Sequence, residues 1–256
     1  MKHILFGLST LFVLIGCGGP SVDRSDSFIV IDAGHGGHDS GAIGAGLYEK
    51  NLVLQIAKRT AKKFKDMGYR VYLTRSNDRF IKLSGRTKIA DRKDAKVFIS
   101  IHANAIAQRN RFNAVEGIET YFLQKTRDAK SQRIAKRENE AVLQGADTLS
   151  KNVIIDSVLN GPKIIESNKL AIDVQANIMK SVRSAYGDAR NGGIKPAPFY
   201  VLVGASRPSI LVEVGYITNP KERARLFTSD YQERIAKGIV AGATRYIDNR
   251  KKELGF

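Results

Sequence analysis

With 256 residues, 43% of them hydrophobic and 26% charged, the chain has room for one domain with a sizeable core and the make-up of an ordinary globular protein. Its 42 Lys and Arg against 25 Asp and Glu leave a formal charge of +17, which points to anionic partners such as lipid head groups, wall polymers or carboxylate-rich substrates. Nucleic acid is set aside, because the cations are spread over sites such as Lys62-Lys63, Arg109 and Arg111, Lys136-Arg137 and Lys251-Lys252, with no aromatic-interleaved basic motif.

Lys2 followed by the apolar run Ile4 to Ile15 reads as an export signal, too short to remain as a membrane span. It ends in Leu14-Ile15-Gly16-Cys17, which resembles the lipobox of bacterial lipoproteins and implies cleavage before Cys17 and lipidation of its thiol. An ordinary cleaved secretory signal is the alternative. Cys17 is the sole cysteine, so no intramolecular disulfide can form. Loss of residues 1–16 removes one lysine and no acid, taking the formal charge from +17 to +16. Residues 17–27 read as the lipidated cysteine and a flexible tether, whose ten residues from Gly18 to Ser27 reach at most about 35 Å. The expected location is the periplasmic cell envelope, with lipid anchorage through Cys17 and, in a diderm host, the outer membrane.

The domain is expected over residues 28–250, with a basic tail at 251–256. Phe28-Ile29-Val30-Ile31 is a buried strand, followed by the glycine-rich loop Asp32-Ala33-Gly34-His35-Gly36-Gly37. Apolar positions at Leu52, Ile56, Ala57, Phe64 and Met67 predict an amphipathic helix from Leu47 to Met67, closed by Gly68. Tyr69 to Thr74 is a second strand, Leu83 to Asp94 a short helix, Val97 to Ile101 a third strand and Gly117 to Leu123 a fourth. The segment 124–168 stands apart, with a charged helix from Arg133 to Glu140 and an apolar run from Leu149 to Ile155. After a long helical stretch, strands are expected near Phe199 to Leu202 and over Ser209 to Val212, and a helix from Arg234 to Tyr246. Alternation of strands and helices predicts an α/β fold: a mostly parallel, twisted sheet of about six strands with helices on both faces.

In such sheets ligands collect at the carboxyl ends of the strands. His35, His102 and Glu213 each follow an apolar strand and fall there. Two imidazoles and one carboxylate can hold zinc and leave a fourth position for water, while a second carboxylate takes the proton. Taken singly, each histidine also reads as a solvated loop residue. Glu49 opens a helix, where the helix dipole favours a carboxylate without any metal. Glu213 follows Ile210-Leu211-Val212, and an acid buried there needs a cationic partner or a chemical role. Asn104 and Ser100 read as supports that order the His102 segment, and His38 as a solvent or substrate-edge residue.

Ile31 to Gly37, Gly41-Ala42, Glu49-Lys50-Asn51, Ser100 to Asn104 and Val212 to Asn219 resemble the successive motifs of zinc N-acetylmuramoyl-L-alanine amidases. Leu83-Ser84-Gly85-Arg86 and Gly117 to Tyr121 fit the same order. The resemblance implies one Zn2+ on His35, Glu49 and His102, with Glu213 as the catalytic carboxylate. The implied reaction cleaves the amide between N-acetylmuramic acid and L-alanine of peptidoglycan, in division, daughter-cell separation or wall remodelling. A zinc stem-peptide carboxypeptidase and a wall-binding lipoprotein without turnover are the rival readings. Part of the family carries an insert whose helix covers the zinc until an activator protein displaces it. Lys136-Arg137-Glu138-Asn139-Glu140 resembles that region, so Glu138 or Glu140 is expected on the metal; an ordinary solvated helix is the alternative.

Overall fold

The computed structural model describes residues 24–143, 161–203 and 205–255, with the side chains of 140–143 excepted. The expected signal segment, Cys17, most of the tether, the run from Leu149 to Ile155 and the Glu140 side chain lie outside the described residues.

Six strands form the main sheet: β1 (Phe28–Ala33), β4 (Arg70–Leu73), β5 (Val97–Asn104), β6 (Ile118–Leu123), β7 (Asn191–Ala197) and β8 (Ser209–Tyr216). Their order across the sheet is β4-β1-β5-β8-β6-β7, while β2 (Ile43–Gly44) and β3 (Leu47–Tyr48) make a separate small hairpin. The first four strands pair in parallel; β6 meets β8 antiparallel and carries β7 parallel to itself, so the sheet is mixed at that side. The helices are α1 (Glu49–Asp66), α2 (Leu83–Arg92), α3 (Ala129–Leu143), α4 (Pro162–Arg183), α5 (Tyr200–Val203), α6 (Pro220–Leu226) and α7 (Ser229–Glu253). The expected α/β architecture is thus present. The basic tail is partly structured, because α7 runs through Lys251 and Lys252.

Side chains alternate across a strand, and the two faces bury different cores. Ile29, Ile31 and Ala33 of β1, Ile99 and Ile101 of β5 and Ile210 and Val212 of β8 pack with α1, α4 and α7 in the larger cluster. Val30, Phe98, Tyr121 and Leu211 face the other way, toward Ala90 of α2, Ile134 and Ala135 of α3, and Val201 and Leu202 of α5. Each fully buried Ile, Leu or Phe contributes about 1.5–3 kcal/mol, so both faces are firmly clad. The same alternation puts Asp32, Ser100, His102, Asn104, Glu119 and Glu213 on the second face.

One expected strand is replaced. Phe199 to Leu202 is not extended: Tyr200–Val203 forms the one-turn helix α5, and the strand lies earlier, at Asn191–Ala197. An apolar run of four residues does not distinguish strand from buried helix. The true strand contains Gly192, Gly193 and Pro196, a composition that hides it, and Pro is tolerated there because β7 is an edge strand. Strands β5 and β8 also run further than their apolar cores, so His102 and Glu213 sit on the strands rather than after them.

Candidate metal centre

His35 leaves β1 with a left-handed backbone (φ 58°), uncommon for a residue with a side chain and held here by its surroundings. Two buried arginines clamp this loop. Arg86 donates to Asp32 Oδ1 (2.8 Å), Ala33 O (2.7 Å) and His35 O (2.8 Å), and Arg75 donates to Ala33 O (2.9 Å) and Gly34 O (2.7 Å). Asp32 completes the clamp by accepting from Thr74 Oγ1 (2.6 Å) and Ser100 Oγ (2.7 Å). Ser100 therefore supports the His35 loop through Asp32. Arg75 and Asp32 received no separate role from sequence, since buried arginine is rare and nothing local marks one.

The ring of His35 lies 2.9 Å from Asp39 Oδ2 through Nδ1, and an ionised Asp39 accepts a proton there. In the neutral ring this leaves the Nε2 lone pair facing inward. Around Nε2 stand Glu49 Oε1 (3.0 Å), Glu138 Oε2 (3.1 Å) and His102 Nδ1 (3.1 Å). His102 Nδ1 is in turn 3.2 Å from Glu49 Oε1 and 3.0 Å from Glu138 Oε2. The four groups are buried and their ligand atoms lie within 4.8 Å of one another, a set able to hold a metal ion. These spacings approach the edge of about 3.3 Å of a tetrahedron with zinc–ligand bonds of about 2.0 Å.

Glu49 is held at both oxygens: Oε2 accepts from Ala42 N (2.8 Å) and Oε1 from Ala103 N (2.8 Å). Gly41 makes room, because its φ is 64° and a Cβ there would stand 2.7 Å from Glu49 Oε2. Glu138 comes from α3, where the buried positions Ser131, Ile134, Ala135, Glu138 and Asn139 form one helical stripe. Arg137 pairs with Glu138 Oε1 (2.6 Å), donates to Ala105 O (2.6 Å) and stands 3.9 Å from Glu213 Oε1. Asn139 fastens the helix to α5, donating to Pro198 O (3.0 Å) and accepting from Tyr200 N (2.9 Å).

Burial opposes charge throughout the cluster, yet the groups act on each other more strongly. Glu49 and the other carboxylates raise His35 well above its usual pKa, and Glu138 with Glu49 raises His102 to about 9. Glu49, beside His35, falls to about 2. Two carboxylates facing two imidazoles thus draw positive charge into their midst. Glu138 Oε2 lacks a hydrogen-bond partner, although two ring nitrogens lie near it. A buried carboxylate oxygen left so is costly unless a cation meets it, and the donor set fits zinc.

Glu213, fully buried on β8, also has no hydrogen-bond partner at either oxygen. Burial and the charge of Glu138 raise its pKa well above the carboxylate range, with Arg137 opposing. Asn104 instead donates to Glu119 Oε2 (3.1 Å), which also accepts from Tyr121 (2.9 Å) and Tyr216 (3.2 Å) hydroxyls. Lys130 of α3 (2.6 Å) and Lys195 of β7 (2.7 Å) meet Glu119 Oε1, so this acid ties α3 to the sheet. His38 packs on Phe80, with ring centroids 4.2 Å apart, and is absent from the cluster.

The profile of the Amidase_3 family, N-acetylmuramoyl-L-alanine amidase, matches residues 29–245. The chain is 34% identical to the amidase AmiA of Escherichia coli K12 over 231 residues, spanning 87% of this chain and 78% of AmiA. Among solved structures, amidase AmiC2 of Nostoc punctiforme superposes with a TM-score of 0.67 at 34% identity, covering 88% of this chain and 99% of AmiC2. The CwlD amidase of Clostridioides difficile, solved in complex with the GerS lipoprotein, superposes at 0.65 with 25% identity, covering 87% and 99%. The fold, the ordered motifs and these matches agree: the chain belongs to the N-acetylmuramoyl-L-alanine amidase family.

Proposed function

We propose that the chain hydrolyses the amide between N-acetylmuramic acid and L-alanine of peptidoglycan, that His35, Glu49 and His102 hold one zinc ion, and that Glu138 fills the fourth position at rest. The convergence of Glu138 Oε2 on both imidazoles carries the resting-state reading. Zinc bound there supplies Lewis acidity that polarises the scissile carbonyl and acidifies a nearby water.

The residues of the chain do the rest. Asp39 keeps His35 in the tautomer whose Nε2 faces the centre, and the Arg75–Asp32–Arg86 clamp holds the loop in its unusual conformation. Once α3 has moved and the charge of Glu138 no longer raises its pKa, the ionised Glu213 takes the proton of the attacking water on a carboxylate oxygen and delivers it to the nitrogen of the departing alanine. Its two unpartnered oxygens leave it free for both transfers. With α3 in place, Glu138 blocks the centre and Arg137 faces Glu213, so turnover requires α3 to move. An envelope protein that captures α3 would act as the activator. Export and lipidation at Cys17 would keep the enzyme against its substrate.

The test is metal analysis of the purified domain together with mass spectrometry of digested walls, using Glu138→Ala to expose the centre. One zinc per chain, free peptides beginning with L-alanine and intact glycan strands are expected. Peptides shortened at their carboxyl end would point to a carboxypeptidase, and wall binding without release to a non-enzymatic protein.

A further inference from the structure

Beside the metal centre lies a pocket of about 490 Å³, within the size range of ligand sites. Its walls carry Arg111, Lys130, Arg133, Arg137 and Arg190, against Glu116 as the one lining carboxylate. Two of the five cations are engaged, Lys130 with Glu119 and Arg137 with Glu138. Arg111, Arg133 and Arg190 have no ion-pair partner among the described residues. Gathering like charges in one concavity works against folding, and it raises the local concentration of anions. Guanidinium groups match carboxylates as two-point donors.

One side chain links the pocket to the chemistry. Arg137 lines it while also standing 3.9 Å from Glu213 Oε1 and pairing with Glu138. Lys130, Arg133 and Arg137 belong to α3 and move with it, whereas Arg111 lies in the short 3-10 turn after β5 and Arg190 directly precedes β7, so these two stay when α3 is displaced.

We propose that this pocket binds the peptide arm of the substrate by a free carboxylate, with Arg111 and Arg190 as its fixed contacts, so that the chain prefers stem peptides whose second residue keeps its α-carboxylate over amidated ones. The inference rests on the peptidoglycan reading above and adds a specificity determinant to it.

The experiment measures binding by calorimetry to the full chain, with N-acetylated L-Ala-γ-D-Glu-L-Lys as probe, in free-carboxylate and carboxamide forms. The carboxylate peptide should bind about tenfold more tightly than the carboxamide, a preference that added salt reduces. Arg111→Ala and Arg190→Ala should each weaken the carboxylate peptide about fivefold to tenfold and leave the carboxamide nearly unaffected, while Lys58→Ala on the exposed flank of α1 changes neither. Equal affinity for the two peptides in the unsubstituted chain overturns the proposal, without any variant having to fold. Tighter binding of inorganic phosphate than of the carboxylate peptide, lost in the same two variants, overturns it in favour of a phosphate site. Wall digestion is scored separately: absence of released peptides beginning with L-alanine from both the unsubstituted chain and Glu138→Ala counts against the amidase reading, whereas the peptide preference decides the pocket.

Discussion

His102 of β5 and Glu213 of β8 stand directly opposite each other in the parallel ladder, just before its register shifts. Paired residues of parallel strands project to the same face, so one backbone register places an imidazole of the candidate centre beside an unpartnered carboxylate. That arrangement separates two roles, and they can be told apart experimentally.

Glu213→Gln should lower amidase turnover by about 10²–10⁴-fold, the usual contribution of a general acid–base group, with zinc content unchanged. Glu49→Gln should lower both, because Glu49 faces the metal centre and its two oxygens each accept a backbone N–H. The amide would leave one of those donors unpaired at a cost of about 1–3 kcal/mol. Metal analysis beside a dye-release assay on labelled walls checks the split; loss of zinc in Glu213→Gln would refute the assignment.

Removing Glu138 should activate the enzyme. Glu138→Ala withdraws the proposed fourth ligand and the charge partner of Arg137, so basal wall hydrolysis should rise about tenfold, equivalent to ~1.4 kcal/mol of bias against the closed state. Lys136→Ala on the exposed side of α3 serves as comparison. An unchanged or lower rate in Glu138→Ala would show that α3 is not a plug.

Chelation should destabilise as well as inactivate. Without a cation, the cluster keeps two buried carboxylates facing imidazoles, and binding energy lost from the native state appears as a lower Tm. Differential scanning of the chain with and without chelator, then with zinc restored, should show a reversible fall; no shift would argue against a metal.

Asp32→Asn should cost about 3–5 kcal/mol, since it strips the buried Arg86 guanidinium of its partner. Burial tends to raise the pKa of Asp32, but Arg86 and the hydroxyls of Thr74 and Ser100 lower it overall. A depressed native value means that this stabilisation is complete above the ordinary aspartate range near pH 4 and is withdrawn as pH falls through the lowered value. Urea unfolding across that range should show a shallower acid limb in Asp32→Asn than in the unsubstituted chain.

Gly238→Ala should lower stability by about 1–3 kcal/mol through overpacking. A Cβ there would meet the backbone of Ile178, where α7 crosses α4 in the larger core. Retained Tm in this variant would show that the two helices can separate at little cost.

Much of the site was readable along the chain. Apolar runs shortly before His35, His102 and Glu213 marked the strands that position them, because strand burial and alternation are local properties of sequence. Glu49 was different: its position at a helix start has a sufficient electrostatic reason of its own, and only the family motif marked it as a ligand. The choice between Glu138 and Glu140 was open, yet helical phase carried a signal. Ile134 and Ala135 define the buried stripe that Glu138 and Asn139 continue. Strand β7 stayed hidden because its glycines and proline suit an edge, a position set by neighbours rather than by its own residues.

Local pattern thus determined the α/β class, the strand-end placement of the histidines and the acid after Val212. Tertiary structure alone decided that α3 lies over the centre, that Arg137 stands between Glu138 and Glu213, and that Arg75 and Arg86 brace a strained loop. These relations join residues far apart in sequence, and each rests on a buried charge whose cost is met only by a partner brought in through folding.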